Sequence, residues 1–197
     1  ALYDSGRVGG IIVIGQWGHH DQLNELARQR LPFVAWGAQL PNQLYCSVGG
    51  DNASGGQLAA EHLLGLGRKR IAFMGEKSLP EPEKRYAGYQ KALRKAGMKM
   101  DSSLYIPSSF APLSAQEALR LHLDRHGLNF DALVAASDLI AISALGVLRE
   151  RGYRVPEDVS VVGYDDIDMA SHSFPPLTTV RQPIDVAGGM LMDSLQE

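Results

Sequence analysis

The sequence predicts an α/β protein built on parallel strands. Short runs such as VGGIIVI (residues 8–14), DALVAA (131–136) and VSVVGY (159–164) are apolar almost throughout. Helix-length amphipathic stretches separate them, and several of these stop at a glycine, as at Gly67, Gly97 and Gly152. Continuous apolar strands are those covered on both faces, and strands alternating with helices are the mark of parallel pairs joined by helical crossovers.

Taken in order, Val8–Ile14 is expected to be a strand buried on both faces, followed by a helix over Asp21–Arg30 with Leu23, Leu26 and Ala27 on one side. Strands follow at Leu31–Trp36 and Tyr45–Val48. Ser54-Gly-Gly-Gln57 has capping-box spacing, which predicts a helix over Gly55–Leu66. Arg70–Met74 is the next strand, the acidic, proline-containing Gly75–Lys84 an irregular loop, and Arg85–Ala96 a helix. After a short strand at Leu104–Ile106, Ser114-Ala-Gln-Glu117 predicts a second capping box opening a helix to about His126. Asp131–Ala136 is a strand, and Ser137 and Asp138 cap a helix with the stripe Leu139, Ile142, Leu145 and Leu148. Val159–Tyr164 and Thr178–Val180 close the strand count, with a last helix over Ile184–Leu195.

The chain has 197 residues, 45% of them hydrophobic, a formal net charge of −3 and one cysteine, Cys46. A mildly acidic balance argues against this segment wrapping nucleic acid by itself, a task that leaves a basic footprint. A single thiol excludes an internal disulfide and fits a reducing compartment. No apolar run approaches the roughly 18–20 residues of a membrane helix. The expected location is the cytoplasm.

In sheets of this kind ligands gather at the carboxyl ends of the strands, where loops converge and helix N-termini point outward. The residues there are Gln16 and Trp17, Asp51, the loop up to Arg85, the segment around Phe110, Ser137-Asp138 and Asp165-Asp166. This polar and aromatic set, with one cation and several carboxylates, suits a small polar ligand. Asp165, Asp166 and Asp168 fall within four positions. They could hold Mg²⁺ in phosphoryl chemistry, although no lysine or glycine loop supports that, or cap the next helical turn. His122 and His126 have i, i+4 metal spacing without a third ligand, so a solvated helix face is the expectation. GGDNASGG lacks the Lys-Ser/Thr of a phosphate loop, and there is no G-x-S-x-G elbow. No cofactor is expected.

Five strings together resemble the LacI/GalR family of bacterial transcription regulators. They are DNxxGGxxAxxHL from Asp51, LGxxxIA from Leu66, RYAGY from Arg85, VPxDVSVVGYDD from Val155 and PPLTTVxQP from Pro175. The resemblance covers nearly the whole chain. It implies two doubly wound parallel-sheet lobes of the periplasmic-binding-protein type, the first incomplete in this chain, with an effector between them. The lobes are expected at residues 1–68 and 69–180, with 181–197 crossing back to the first. It also implies a non-enzymatic sensor that works as a homodimer, with operator DNA bound through a helix-turn-helix lying outside this chain.

The same resemblance places Asp165 and Arg85 where relatives bind effector hydroxyls or ring heteroatoms, and Phe110 where they place an aromatic against a sugar or base. For Trp17 and Phe110 core packing stays open as the alternative. Ser137 stands where an Asn is usual and Asp138 beside it; Trp17, Asp51 and Gln182 are further effector candidates. Glu81, an acid before Arg85, would disfavour a phosphorylated effector. The effector is expected to be a sugar or sugar derivative, with a purine as the other chemistry that Asp, Arg and an aromatic can serve. A sugar-binding protein of an ABC transport system is the alternative reading, and an Mg²⁺ enzyme using Asp165 and Asp166 the alternative from another class.

Overall fold

The computed structural model describes residues 8–196. The elements are β1 (Ile11–Ile14), α1 (His20–Arg28), β2 (Phe33–Trp36), β3 (Cys46–Val48), α2 (Asn52–Gly65), β4 (Ile71–Met74) and α3 (Pro80–Lys95). A single 3₁₀ turn at Ser102–Leu104 leads to β5 (Tyr105–Ile106), α4 (Pro112–His126), β6 (Ala132–Ala135), α5 (Asp138–Glu150), β7 (Ser160–Asp165), α6 (Asp168–His172), β8 (Thr178–Arg181) and α7 (Ile184–Gln196). The chain forms two units, each with its own wholly parallel sheet.

The first unit takes the described residues up to Asp51, Leu79–Glu81, and the chain from Pro183. Its sheet has the order β1-β2-β3. Leu23 of α1 packs with Phe33, Ala35 and Tyr45, and α7 lies along β2 and β3 with Ala187 and Leu191 buried. β1 was expected to be covered on both faces. Instead it is the edge strand, and Ile14 is 69% exposed, because α7 packs over β2 and β3. Residues 1–7, part of the expected first lobe, lie outside the described residues.

The second unit comprises Asn52–Ser78 and Pro82–Gln182. Its strands run β5-β4-β6-β7-β8, so the order reverses between β4 and β6. That reversal opens a crevice at the carboxyl ends of those two strands, the place where doubly wound sheets bind ligands. The core is apolar and continuous, with Phe73, Ile71, Met74, Leu133, Ile140, Leu148 and Leu63 fully buried. Phe73, Tyr86, Tyr89 and Tyr105 form an aromatic cluster, and the Tyr89 hydroxyl donates to the Ile71 carbonyl at 2.7 Å. Burial pushes that phenol well above its usual range.

Helix α2 belongs to this second unit, which moves the boundary from the expected residue 68 to between Asp51 and Asn52. The cause is packing: α2 lies on β6, β7 and β8, and Ala59, Ala60 and Leu63 enter their core. It also crosses α3 backbone to backbone. A Cβ on Gly88 would fall inside the Ala53 carbonyl, and one on Gly56 inside that of Arg85.

Helix starts differ from expectation where proline or a tertiary contact decides. α2 begins at Asn52, leaving Ser54 in its first turn. α3 begins at Pro80 inside the expected loop, and α4 at Pro112, two residues before the expected Ser114 cap. Proline supplies a preset φ where the first-turn N–H has no partner to lose, so it opens helices without a side-chain cap. His122 is buried rather than solvated; its Nε2 lies 2.8 Å from Asn129 Oδ1 and its ring packs near Phe130. Among the described residues no group of three or more His, Cys, Asp or Glu could hold a metal ion, and no helix is long and apolar enough to cross a membrane.

Candidate functional site

At the carboxyl edge of the second sheet, α3 delivers Arg85 to the ends of β6 and β7. Arg85 is 5% exposed. Its Nε donates to Asn52 Oδ1 at 2.8 Å and its Nη1 to the Ala136 carbonyl, just past β6, at 2.5 Å. The guanidinium lies over the Tyr164 ring, 3.7 Å from its centroid. A desolvated cation on an aromatic face gains about 2 kcal/mol. Arg85 is thus built in from three elements: α2, β6 and β7.

Nη1 also reaches Asp165 Oδ1 at 3.5 Å, and Gln182, just past β8, donates its Nε2 to the same oxygen at 2.7 Å. The first N–H of α5, that of Asp138, donates to the Asp165 carboxyl as well. Burial pushes the Asp165 carboxyl above its ordinary range, while Arg85 and Gln182 pull it down. Its side chain is 24% exposed, so solvent reaches the acid while the base behind it is sealed. A carboxylate carries about four lone-pair sites, and the exposed part can take O–H or N–H donors from a ligand.

Asp165 is presented by an unusual backbone. Its φ is +123° and that of Asp166 is +59°, both positive without glycine. Each such residue costs on the order of 1–3 kcal/mol and persists only where the surroundings over-determine it. One such constraint is Asp138, which is 0% exposed. Its Oδ2 accepts from the Ile167 N–H at 2.9 Å, its Oδ1 from Thr179 Oγ1 at 2.5 Å, and the Asp166 N–H donates to the carboxyl too. Burial raises its pKa, against the pull of those donors. A Cβ on Gly163 would collide with Asp138 Oδ1, so only glycine there lets the carboxylate in.

The three neighbouring acids therefore separate. Asp165 faces Arg85 and Gln182, and Asp166 pairs with Arg181 at 3.3 Å. Asp168 is the first residue of α6, whose N-cap is Ile167 without a side-chain cap. Asp166 and Asp168 were expected to cap or solvate the following turn; neither caps it, and both are exposed, with Asp166 drawn toward β8 by Arg181. The three do not converge as a cation clamp would require.

Of the expected site residues, Arg85, Asp165, Gln182, Ser137 and Asp138 come together here. Ser137 caps α5, its Oγ accepting from the Ile140 N–H at 3.3 Å. Phe110, between β5 and α4, is half-buried against the second core. Trp17, Asp51 and Glu81 belong to the first unit. Trp17 is 52% exposed on a positive-φ turn after β1. Asp51 is exposed beside the unit boundary, and a Glu81 oxygen stands with Gln16 Oε1 over Gly37. Asn52, Tyr164 and Thr179 are site residues that sequence reasoning missed. Each sits within or beside a string already singled out, yet only the fold shows that these side chains meet Arg85 or Asp138.

The family model of the periplasmic binding protein-like domain matches residues 60–197. The HTH-type transcriptional regulator CelR of Thermobifida fusca is 42% identical over 161 residues, 80% of this chain and 47% of that protein. DegA of Bacillus subtilis, also an HTH-type transcriptional regulator, is 36% identical over 186 residues, 92% of this chain and 55% of its own length. The chain thus spans about half the length of the curated relatives it matches. Among solved structures, a complex of the transcriptional regulator CelR with cellobiose superposes with a TM-score of 0.87 at 36% identity, covering 98% of this chain and 62% of that one. A LacI family transcriptional regulator from Enterococcus faecium with bound ribose gives 0.84 at 30% identity, covering 99% and 72%.

Proposed function

Because the chain belongs to the periplasmic binding protein-like domain family, in the form carried by LacI-type transcriptional regulators, we propose that it is the effector-sensing and dimerisation domain of such a regulator, acting as a repressor and taking a sugar or sugar derivative at Asp165. The observation that carries this is a sealed Arg85 behind a partly exposed Asp165 at the carboxyl ends of β6 and β7. Arg85 keeps the carboxylate charged and fixed, and Asp165 accepts from vicinal hydroxyls of the ligand. Phe110 offers an apolar face to a sugar ring, and Gln182 and Ser137 hold the acid and its helix in place.

The relatives are regulators rather than transport proteins or enzymes, and two solved ones carry cellobiose and ribose by their descriptions. Operator DNA is bound in the cytoplasm through a helix-turn-helix outside this sequence, as a homodimer whose two-fold axis matches a palindromic site. The effector changes operator affinity by no more than its own differential affinity for the two states.

A thermal-shift screen of the full-length protein against sugars, sugar acids and nucleobases tests this. A ligand at 100 times its Kd stabilises the folded state by about 2.7 kcal/mol, and Asp165→Ala should abolish the response to the best sugar. A response to purines alone would overturn the sugar assignment, and silence across the whole panel would overturn the sensor reading.

A further inference from the structure

We infer that Asp138 is a positioning residue for the effector site, acting through the backbone turn that aims Asp165. This rests on the proposed role of Asp165 as the ligand acceptor. Asp138 cannot touch a ligand itself. It is 0% exposed, and its two oxygens are engaged by the Ile167 N–H, the Asp166 N–H and Thr179 Oγ1. Those donors flank the strained pair: two follow Asp165 directly, and the third ties the arrangement to β8, whose next residues lead to Gln182.

The coupling runs both ways. Asp138 accepts from the turn with its side chain and donates to the Asp165 carboxyl with its backbone N–H, so the start of α5 and the end of β7 lock each other. Without that acceptor the turn amides lose the carboxylate that holds them, and relaxation of the turn to negative φ would swing Asp165 off Arg85 and Gln182. The Gly163 slot shows that the sheet is shaped around this carboxylate. Asparagine is the informative replacement. It can give its one oxygen to the Ile167 N–H and its NH₂ to the Thr179 hydroxyl, so the geometry is kept while the turn loses a charged acceptor.

The test uses the full-length protein and a double-mutant cycle of Asp138→Asn with Asp165→Asn. The probe is whichever of cellobiose, ribose and glucose gives the largest saturable thermal shift in the wild type, with its Kd measured by calorimetry. Asp138→Asn should weaken binding about tenfold, the scale on which a neutral acceptor falls short of a charged one, and should weaken it no further once Asp165 is already Asn. Thr179→Val should act in the same direction, and Thr179→Ser, which keeps the hydroxyl, should restore binding; this pair carries the same cycle if Asp138→Asn does not fold. Equal loss with and without Asp165, or an unchanged Kd, would overturn the inference while leaving the functional proposal standing. If none of the three sugars shifts the wild type, the best sugar or sugar acid of the wider screen takes their place, and silence across that whole screen fails the functional proposal first and this one with it. A sugar-free readout stands beside these: amide exchange at Asp166 and Ile167 should accelerate in Asp138→Asn while β4 amides stay protected, and uniform acceleration across the sheet would reduce Asp138 to a general structural residue and overturn its positioning role.

Discussion

Replacing Arg85 by methionine removes the cation and its donors while refilling most of the stem volume. It leaves Asn52 Oδ1 and the Ala136 carbonyl without the Nε and Nη1 donors and Asp165 without its counter-charge. An orphaned buried acceptor costs about 1–3 kcal/mol, and breaking a buried ion pair from one side about 3–5 kcal/mol. Asp165 is 24% exposed and 3.5 Å away, so water recovers part of its share. The expected loss is about 3–5 kcal/mol, read by urea unfolding at pH 7 with an unchanged denaturant slope. Adding Asp165→Asn should return about 1–2 kcal/mol, because a neutral amide needs no counter-charge. A single-variant loss below about 1 kcal/mol, typical of exposed pairs, would refute the claim that Arg85 is sealed. A double variant no more stable than Arg85→Met would refute the charge pairing.

Two further outcomes follow from packing and titration. Gly88→Ala should destabilise by about 2–4 kcal/mol despite a helix-propensity gain of about 1 kcal/mol, since its Cβ meets the Ala53 carbonyl and, at 2.7 Å, the Gln57 backbone nitrogen; a neutral result in urea unfolding would mean that α2 and α3 do not cross at this distance. Burial, opposed by the Asn129 hydrogen bond, lowers the His122 pKa, so the folded state binds its proton later than the unfolded chain. That stability is complete above about pH 6.5 and is lost as pH falls from there through the lower folded value. His122→Gln, which cannot titrate, should flatten the stability profile below that pH, and an unchanged slope would show that burial does not shift His122 between the folded and unfolded states.

Much of this was legible in the chain itself, because local rules are short-ranged. Apolar runs placed β4, β6 and β7 within a residue or so of their ends, and Ser137 capped α5 as its side chain and position require. The strings around Arg85 and Asp165 marked two residues that do meet, 80 positions apart. Where local signals competed, they misled: capping-box spacing at Ser54 and Ser114 lost to Asn52 and Pro112, and the expected loop before Arg85 lost to a helix opened by Pro80. His122 reads as polar by type and is buried because Asn129 satisfies its ring nitrogen.

What the sequence by itself determined is the α/β class, the parallel strands and the polar residues at their carboxyl ends, since these follow from periodicity and from turn and cap chemistry within a few residues. What only the tertiary structure decided is the role of each acid. Asp138, Asp165, Asp166 and Asp168 are one residue type with the same intrinsic chemistry, and no local pattern separates them. Long-range partners do: Thr179 and the turn amides engage Asp138, Arg85 and Gln182 hold Asp165, and Arg181 draws Asp166 aside. A carboxylate becomes a ligand acceptor or a hidden brace according to which donors the fold brings to it and how much water it leaves.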